Sequence, residues 1–209
     1  ELAGRFEERR IFCILLAVWI IMGIFYPREF LNPAVLKATV LAMSSIAVIC
    51  VGMTVLLVSG GFDLSVGSVV TFTGVVAALA IKSGQPWFAA VIAAVACGLL
   101  VGLGNGFLIA RLGINPFITT LGMMIFVRGL ATIIAGGNNI PIMDASYNRI
   151  GQEAFLGVQY PIWICLMCVA AGDFLLRKSR YFRQNYYIGG NEHAAALSEI
   201  GRASCREKV

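Results

Sequence analysis

Between Glu29 and Asp144 the chain carries a single acid, Asp63, set in Ser59-Gly60-Gly61-Phe62-Asp63-Leu64-Ser65-Val66-Gly67-Ser68. Apolar runs flank it on both sides, Ala38–Val58 and Val69–Ile81. A carboxylate between membrane-grade segments is costly unless something there needs it. Gly60-Gly61 lets the chain turn sharply, because glycine reaches positive φ without steric penalty. Asp63 then stands where its side chain caps a helix beginning at Leu64. Two readings stay open: an N-cap in a tight connection, or a direct part in a transport path. In either case the stretch is a helix break and restart at or near membrane depth.

Other chemistry-bearing residues are sparse. The sequence has one histidine, His193. It has no metal-ligand cluster and no nucleophile–base pair recognisable by spacing, so no catalytic or metal-binding residue is assigned. A Gly-x-x-x-x-Gly-Lys-Ser/Thr phosphate loop is also missing, so this chain cannot itself hydrolyse ATP and is expected to bind no cofactor. Cys165-Leu166-Met167-Cys168 has CxxC spacing but lies inside an apolar run without a thioredoxin-like setting. With Cys13, Cys50 and Cys97 these cysteines read as small core hydrophobes. The glycines of Gly98-Leu-Leu-Val-Gly102-Leu-Gly104-Asn105-Gly106 lack the strand–turn–helix context of a dinucleotide site. Gly98, Gly102 and Gly106 are spaced by four, which aligns small residues on one helix face for close packing. Asn105 is expected to hydrogen-bond across helices in the same region.

The elements that hold these residues are membrane spans. Of 209 residues 59% are hydrophobic and 13% charged, about half the charged share of an ordinary soluble domain. Mean hydropathy is +0.84. The fold class is therefore all-α, a polytopic transmembrane helix bundle. Net charge is +5, and residues from Arg177 onward supply +4 of it, from seven Lys/Arg against three Glu. Without a soluble domain, that block reads as the cytoplasmic flank of a span and not as a nucleic-acid site.

Six spans follow from the apolar runs and their breakers. Glu1–Arg10 is a charged interfacial helix, and Ile11–Tyr26 is a first anchor stopped by Pro27. It ends in Pro-Arg-Glu with no small-residue cleavage site, so it does not read as a signal peptide. A second span runs from about Leu36 to Val58, and a third from about Leu64 to Ile81. Trp87–Ala110 is the fourth, with Trp87 as an interfacial anchor. Phe117–Ile134 is the fifth, opened by Pro116. It holds Arg128, which either snorkels or pairs with a buried acceptor. Ile140–Tyr160 is a polar connection with room for a short surface helix, and Pro161–Leu176 is the sixth span. With both ends inside, eight Lys/Arg fall on cytoplasmic segments and four outside, which favours a cytoplasmic N-terminus and puts Asp63 near the cytoplasmic end.

Gly60–Ser68 resembles the motif of the ribose-type (monosaccharide) sugar permeases, the membrane subunits of bacterial ATP-binding-cassette importers. Further stretches agree in order and spacing: Val51-Gly52-Met53-Thr54, Gly104-Asn105-Gly106, Asn115-Pro116-Phe117-Ile118-Thr119-Thr120-Leu121-Gly122, Arg128-Gly129, and Tyr187-Ile188-Gly189-Gly190-Asn191-Glu192-His193-Ala194-Ala195. The resemblance implies a larger all-helical permease fold, of which about six spans are present. It implies a bacterial inner-membrane location and three partners: a cytoplasmic ATPase, which uses the ATP, a second permease subunit, homo- or heterodimeric, and an extracytoplasmic sugar-binding protein. It implies a cytoplasmic coupling loop at 177–198, in which Gly189, Gly190, Asn191, Glu192, Ala194 and Ala195 dock on the ATPase. Asn191 is a good N-cap and Glu192–Leu197 is helix-forming, which suits that role.

The sequence departs from the family in two places. Family members continue with more spans, and Ser198-Glu199-Ile200 stands where their pattern reads Ser-Gly-Ile. Residues 1–198 are thus expected to be a partial transmembrane permease domain, and 199–209 a non-native tail. Polar residues in or beside the spans are candidates for lining the path: Ser59, Asp63, Ser65, Asn105, Asn115, Thr119 and Thr120. An ion-coupled secondary transporter is the rival, since broken helices and an intramembrane acid also serve such proteins. It would have no use for the coupling segment.

Overall fold

The computed structural model describes residues 2–190. Among them the chain is helical almost throughout: α1 (Leu2–Phe25), α2 (Pro27–Phe30), α3 (Pro33–Val58), α4 (Val66–Lys82), α5 (Trp87–Ala110), α6 (Pro116–Ile134), α7 (Ala145–Gln152), α8 (Tyr160–Lys178) and α9 (Arg180–Gly190). One antiparallel hairpin, β1 (Ala154–Phe155) with β2 (Val158–Gln159), precedes α8. Four helices, α3, α5, α6 and α8, are long and apolar enough to cross a membrane, and Arg10–Phe25 and Val66–Lys82 are shorter apolar helices. The 17 residues of α4 rise about 25 Å, a little under the hydrocarbon thickness of a bilayer. Large apolar side chains such as Ile11, Leu99, Leu100, Leu103 and Phe126 lie exposed, which suits lipid and not water as the surrounding medium. The chain is an all-α integral membrane protein.

Two compact units divide the chain, Glu1–Ser45 and Ile46–Val209. In the first, α1 runs unbroken through Arg10, so the helix expected over Glu1–Arg10 continues into the first apolar run. Gly4 is accommodated within the helix, and the first proline, Pro27, opens α2. Trp19 meets Phe30 edge-to-face at 5.3 Å between ring centroids.

In the second unit α4, α5 and α6 enclose the main apolar core. Phe72, Val127 and Ala131 are buried there, with Val69, Val76, Val101, Met123 and Leu130 packed around them. Apolar residues at 69, 72, 75 and 76 share one face of α4 through the three-and-four spacing of a helix. Beyond α6, the polar connection forms the short helix α7, capped by the Asp144 carboxylate, which accepts from Tyr147 N–H at 2.7 Å. The hairpin after it was not foreseen. Its turn puts both Leu156 (φ 53°) and Gly157 (φ 78°) in the left-handed region, the backbone that two-residue hairpin turns demand.

Glycine spacing on α5 translates only in part into close packing. A Cβ on Gly98 would lie 3.4 Å from Thr73 Cγ2 of α4, but Gly102 and Gly106 have nothing within 4 Å among the described residues. Gly104, outside the four-residue series, is the glycine near α6, 3.7 Å from Met123 Cε. Among the described residues, α5 therefore meets α4 at Gly98 and presents another side to α6 at Gly104. A firmer notch joins α8 to α3, where a Cβ on Gly172 would lie 2.6 Å from Val51 Cγ1. Valine on a helix is held in one rotamer and has little freedom to yield. Gly172→Ala should therefore cost about 1–3 kcal/mol, read as a lower thermal midpoint of the detergent-purified protein; an unchanged midpoint would show that α3 and α8 are not tightly seated.

Candidate functional site

The break between α3 and α4 is built from hydrogen bonds local to it. Gly60 takes φ 79°; its N–H donates to Leu57 O at 3.0 Å, and Gly61 N–H donates to Leu56 O at 2.9 Å. This pair of bonds is a Schellman ending, with glycine at the left-handed position. Ser59 Oγ donates to Leu56 O at 2.7 Å. Ser59 thus closes the end of α3, and its side chain is committed to that carbonyl.

Asp63 does not cap a helix at Leu64, as the sequence suggested. Helix α4 starts at Val66, with Ser65 at its N-cap in αR backbone and making no side-chain cap. Instead Asp63 Oδ1 accepts from Ser65 N–H at 2.7 Å and from Ser65 Oγ–H at 2.6 Å. An aspartate bonding the backbone two residues on makes a small turn of its own. That turn occupies Asp63 and delays the helix by two residues. Short bonds to a carboxylate are the charge-assisted kind, stronger than neutral ones.

Ser65 then passes the connection to α5. It is fully buried at 0% exposure, and its Oγ accepts from Asn105 Nδ2 at 3.0 Å. Since the single Ser65 hydroxyl proton goes to Asp63, Asn105 must turn its NH2 and not its carbonyl toward Ser65. The result is a directed chain, Asn105 to Ser65 to Asp63, tying α5 to the acid in the break between α3 and α4. Asn105, expected to bond across helices, does so.

Two buried polar atoms lack a partner among the described residues, the acceptor Asn105 Oδ1 and the hydroxyl Thr119 Oγ1. Thr120 lies beside Thr119 but is satisfied, donating to Pro116 O at 2.8 Å. Asn115 is exposed and caps α6, accepting from Phe117 N–H at 2.9 Å. Of the seven path candidates, then, the structure links Asp63, Ser65 and Asn105. It leaves Thr119 buried and unpaired, and assigns Ser59, Asn115 and Thr120 to helix ends and turns. Arg128 is exposed, with no side-chain partner among the described residues. No group of three or more His, Cys, Asp or Glu is placed to hold a metal among them.

Of the coupling segment, Gly189 and Gly190 close α9, while Asn191, Glu192, Ala194 and Ala195 lie outside the described residues. Sequence reasoning missed the seat of Gly189. A Cβ there would run into the Val58 carbonyl oxygen and lie 3.0 Å from Gly60 N. It also passed over Asp173 and Arg177, an exposed ion pair at 2.6 Å whose i, i+4 spacing was a readable signal.

Residues 36–200 match the family described as branched-chain amino acid transport system / permease component, and the chain belongs to that permease family. The L-arabinose transport system permease protein AraH of Escherichia coli (strain K12) is 39% identical over 200 residues, covering 94% of this chain and 60% of the relative. Its counterpart in Azospirillum brasilense is 39% identical over 172 residues, covering 82% of this chain and 51% of the relative. The ribose import permease protein RbsC of Haemophilus influenzae is 33% identical over 203 residues, 94% of this chain and 62% of the relative. The chain thus spans between half and two-thirds of the length of these curated relatives. No solved structure gave a significant match.

Removing the Ser65 hydroxyl strands the buried Asn105 amide, so Ser65→Ala should destabilise by about 1–3 kcal/mol. Adding Asn105→Leu should cost less than the two separate losses summed, because the pair shares one bond. Unfolding of the detergent-purified variants measures this, and strict additivity would deny the coupling.

Proposed function

We propose that this chain is the membrane-spanning permease subunit of an ATP-binding-cassette importer carrying a monosaccharide or similar small polar solute across the bacterial inner membrane. The observation that carries this reading is the 39% identity over 200 residues with the arabinose permease of E. coli, with ribose permeases at 33% and 34% alongside. In this reading the N-terminus is cytoplasmic. The partners are a cytoplasmic ATPase, a second permease subunit and an extracytoplasmic sugar-binding protein. This chain is not an enzyme: ATP is bound and hydrolysed by the partner, and no cofactor is held here.

The broken segment between α3 and α4 suits such a role. An unwound stretch at membrane depth is tolerated where protein covers it or where it borders a cavity. Here Ser65 and Asn105, both buried, cover it. Transport by alternating access then needs no group transfer by the permease. It needs polar groups that change partners as helices move, and the unpaired Asn105 Oδ1 and Thr119 Oγ1 are the candidates with capacity to do so. Ser59, Asn115 and Thr120 stay in the proposal as the fixed helix ends around that path. The ATPase would act through Gly189, Gly190, Asn191, Glu192, Ala194 and Ala195.

Uptake of labelled arabinose or ribose into vesicles carrying the complete transporter tests this. Uptake should cease when the ATPase is inactivated and persist when ion gradients are collapsed. The opposite pattern would make the protein an ion-driven carrier. Asn191→Arg should abolish the stimulation of ATPase activity by the sugar-loaded binding protein; intact stimulation would remove the coupling role of that segment.

A further inference from the structure

The end of α9 is seated on the helix break itself. Gly189 lies so close to the last turn of α3 that any side chain would collide with the Val58 carbonyl and crowd Val58 C and Gly60 N, each 3.0 Å from its Cβ position. From the other side, a Cβ on Gly60 would lie 3.6 Å from Gly189 Cα. This is backbone against backbone, with no side chain between to absorb movement. Gly190 next to it has nothing within 4 Å among the described residues, so the requirement at Gly189 comes from its position against α3. The turn that Gly189 touches is fixed by the left-handed Gly60 and the two Schellman bonds. Three residues on stands Asp63, whose carboxylate holds Ser65, which holds Asn105 on α5.

We propose that Gly189 is a positioning residue that transmits movement of the α9 end directly to the Val58–Gly60 turn, and through Asp63 and Ser65 to Asn105. This rests on the importer reading, in which the segment beginning at Gly189 meets the ATPase, and it adds where that force goes. Closely packed backbone is stiff, so displacement of α9 either carries the turn with it or opens the contact. Each alternative changes the geometry at Asp63, and with it the bond that fixes the side chain of Asn105.

The test places a reporter at Phe62, an exposed residue of the turn. Phe62→Cys, in a background with the native cysteines replaced, is labelled with a maleimide in the complete transporter, with ATP bound and without nucleotide. The labelling rate should differ between the two states, and Gly189→Ala should remove the difference and lower transport roughly tenfold, within the usual range of coupling between sites. Gly151→Ala, a helical glycine with open space around it, should keep both. A nucleotide response that survives Gly189→Ala overturns the inference while leaving the importer reading intact. If Gly189→Ala fails to assemble, the parent decides: a Phe62→Cys rate indifferent to nucleotide overturns the inference. Transport that never depends on the ATPase overturns both.

Discussion

A helix that breaks among apolar neighbours must satisfy its freed backbone and side-chain polar groups from within the protein. At the end of α3 this is done by one left-handed glycine and one carboxylate. Gly60 allows two backbone bonds to close α3, and Asp63 Oδ1 gathers both the N–H and the hydroxyl of Ser65. The direction of every later bond depends on that carboxylate. Because it accepts only, Ser65 must donate to it. Because Ser65 donates there, it can only accept from Asn105. The start of α4 and the side-chain orientation on α5 follow from this sequence of commitments.

Much of the helical architecture was legible because its markers are strong and local. Trp87–Ala110 has the same limits in sequence and structure, set by Pro86 before it and the Arg111–Gly113 turn after it. The Asn115-Pro116 start of α6 was readable for the same reason, a capping side chain before a proline at the first turn. The start of α4 was misplaced by two residues, since an aspartate two positions before a serine can bond locally in place of capping a helix, and composition does not separate the two. The glycine series on α5 was legible as a face and not as a set of contacts. Spacing shows which residues share a face, but only the crossing of neighbouring helices decides where that face is used.

The candidate path was legible as a set of polar residues in apolar surroundings, and not as a connection. Ser65 and Asn105 are forty positions apart, so nothing in either local sequence announces their bond. Ser59, Asn115 and Thr120 resemble them in composition yet serve helix ends. Gly189 is the clearest case of information absent from sequence. Two adjacent glycines read alike, yet one abuts the turn of α3 and the other meets nothing within 4 Å among the described residues. The contact joins the end of α9 to the turn that leads into Asp63.

The most direct test of the account is amide hydrogen exchange at Ser65 in the purified protein. The Ser65 amide should exchange more slowly than that of Phe62 and lose its protection in Asp63→Ala, as the bond to Oδ1 disappears. A Ser65 amide that exchanges equally fast with and without the Asp63 carboxylate would contradict the claim that this residue holds the break together.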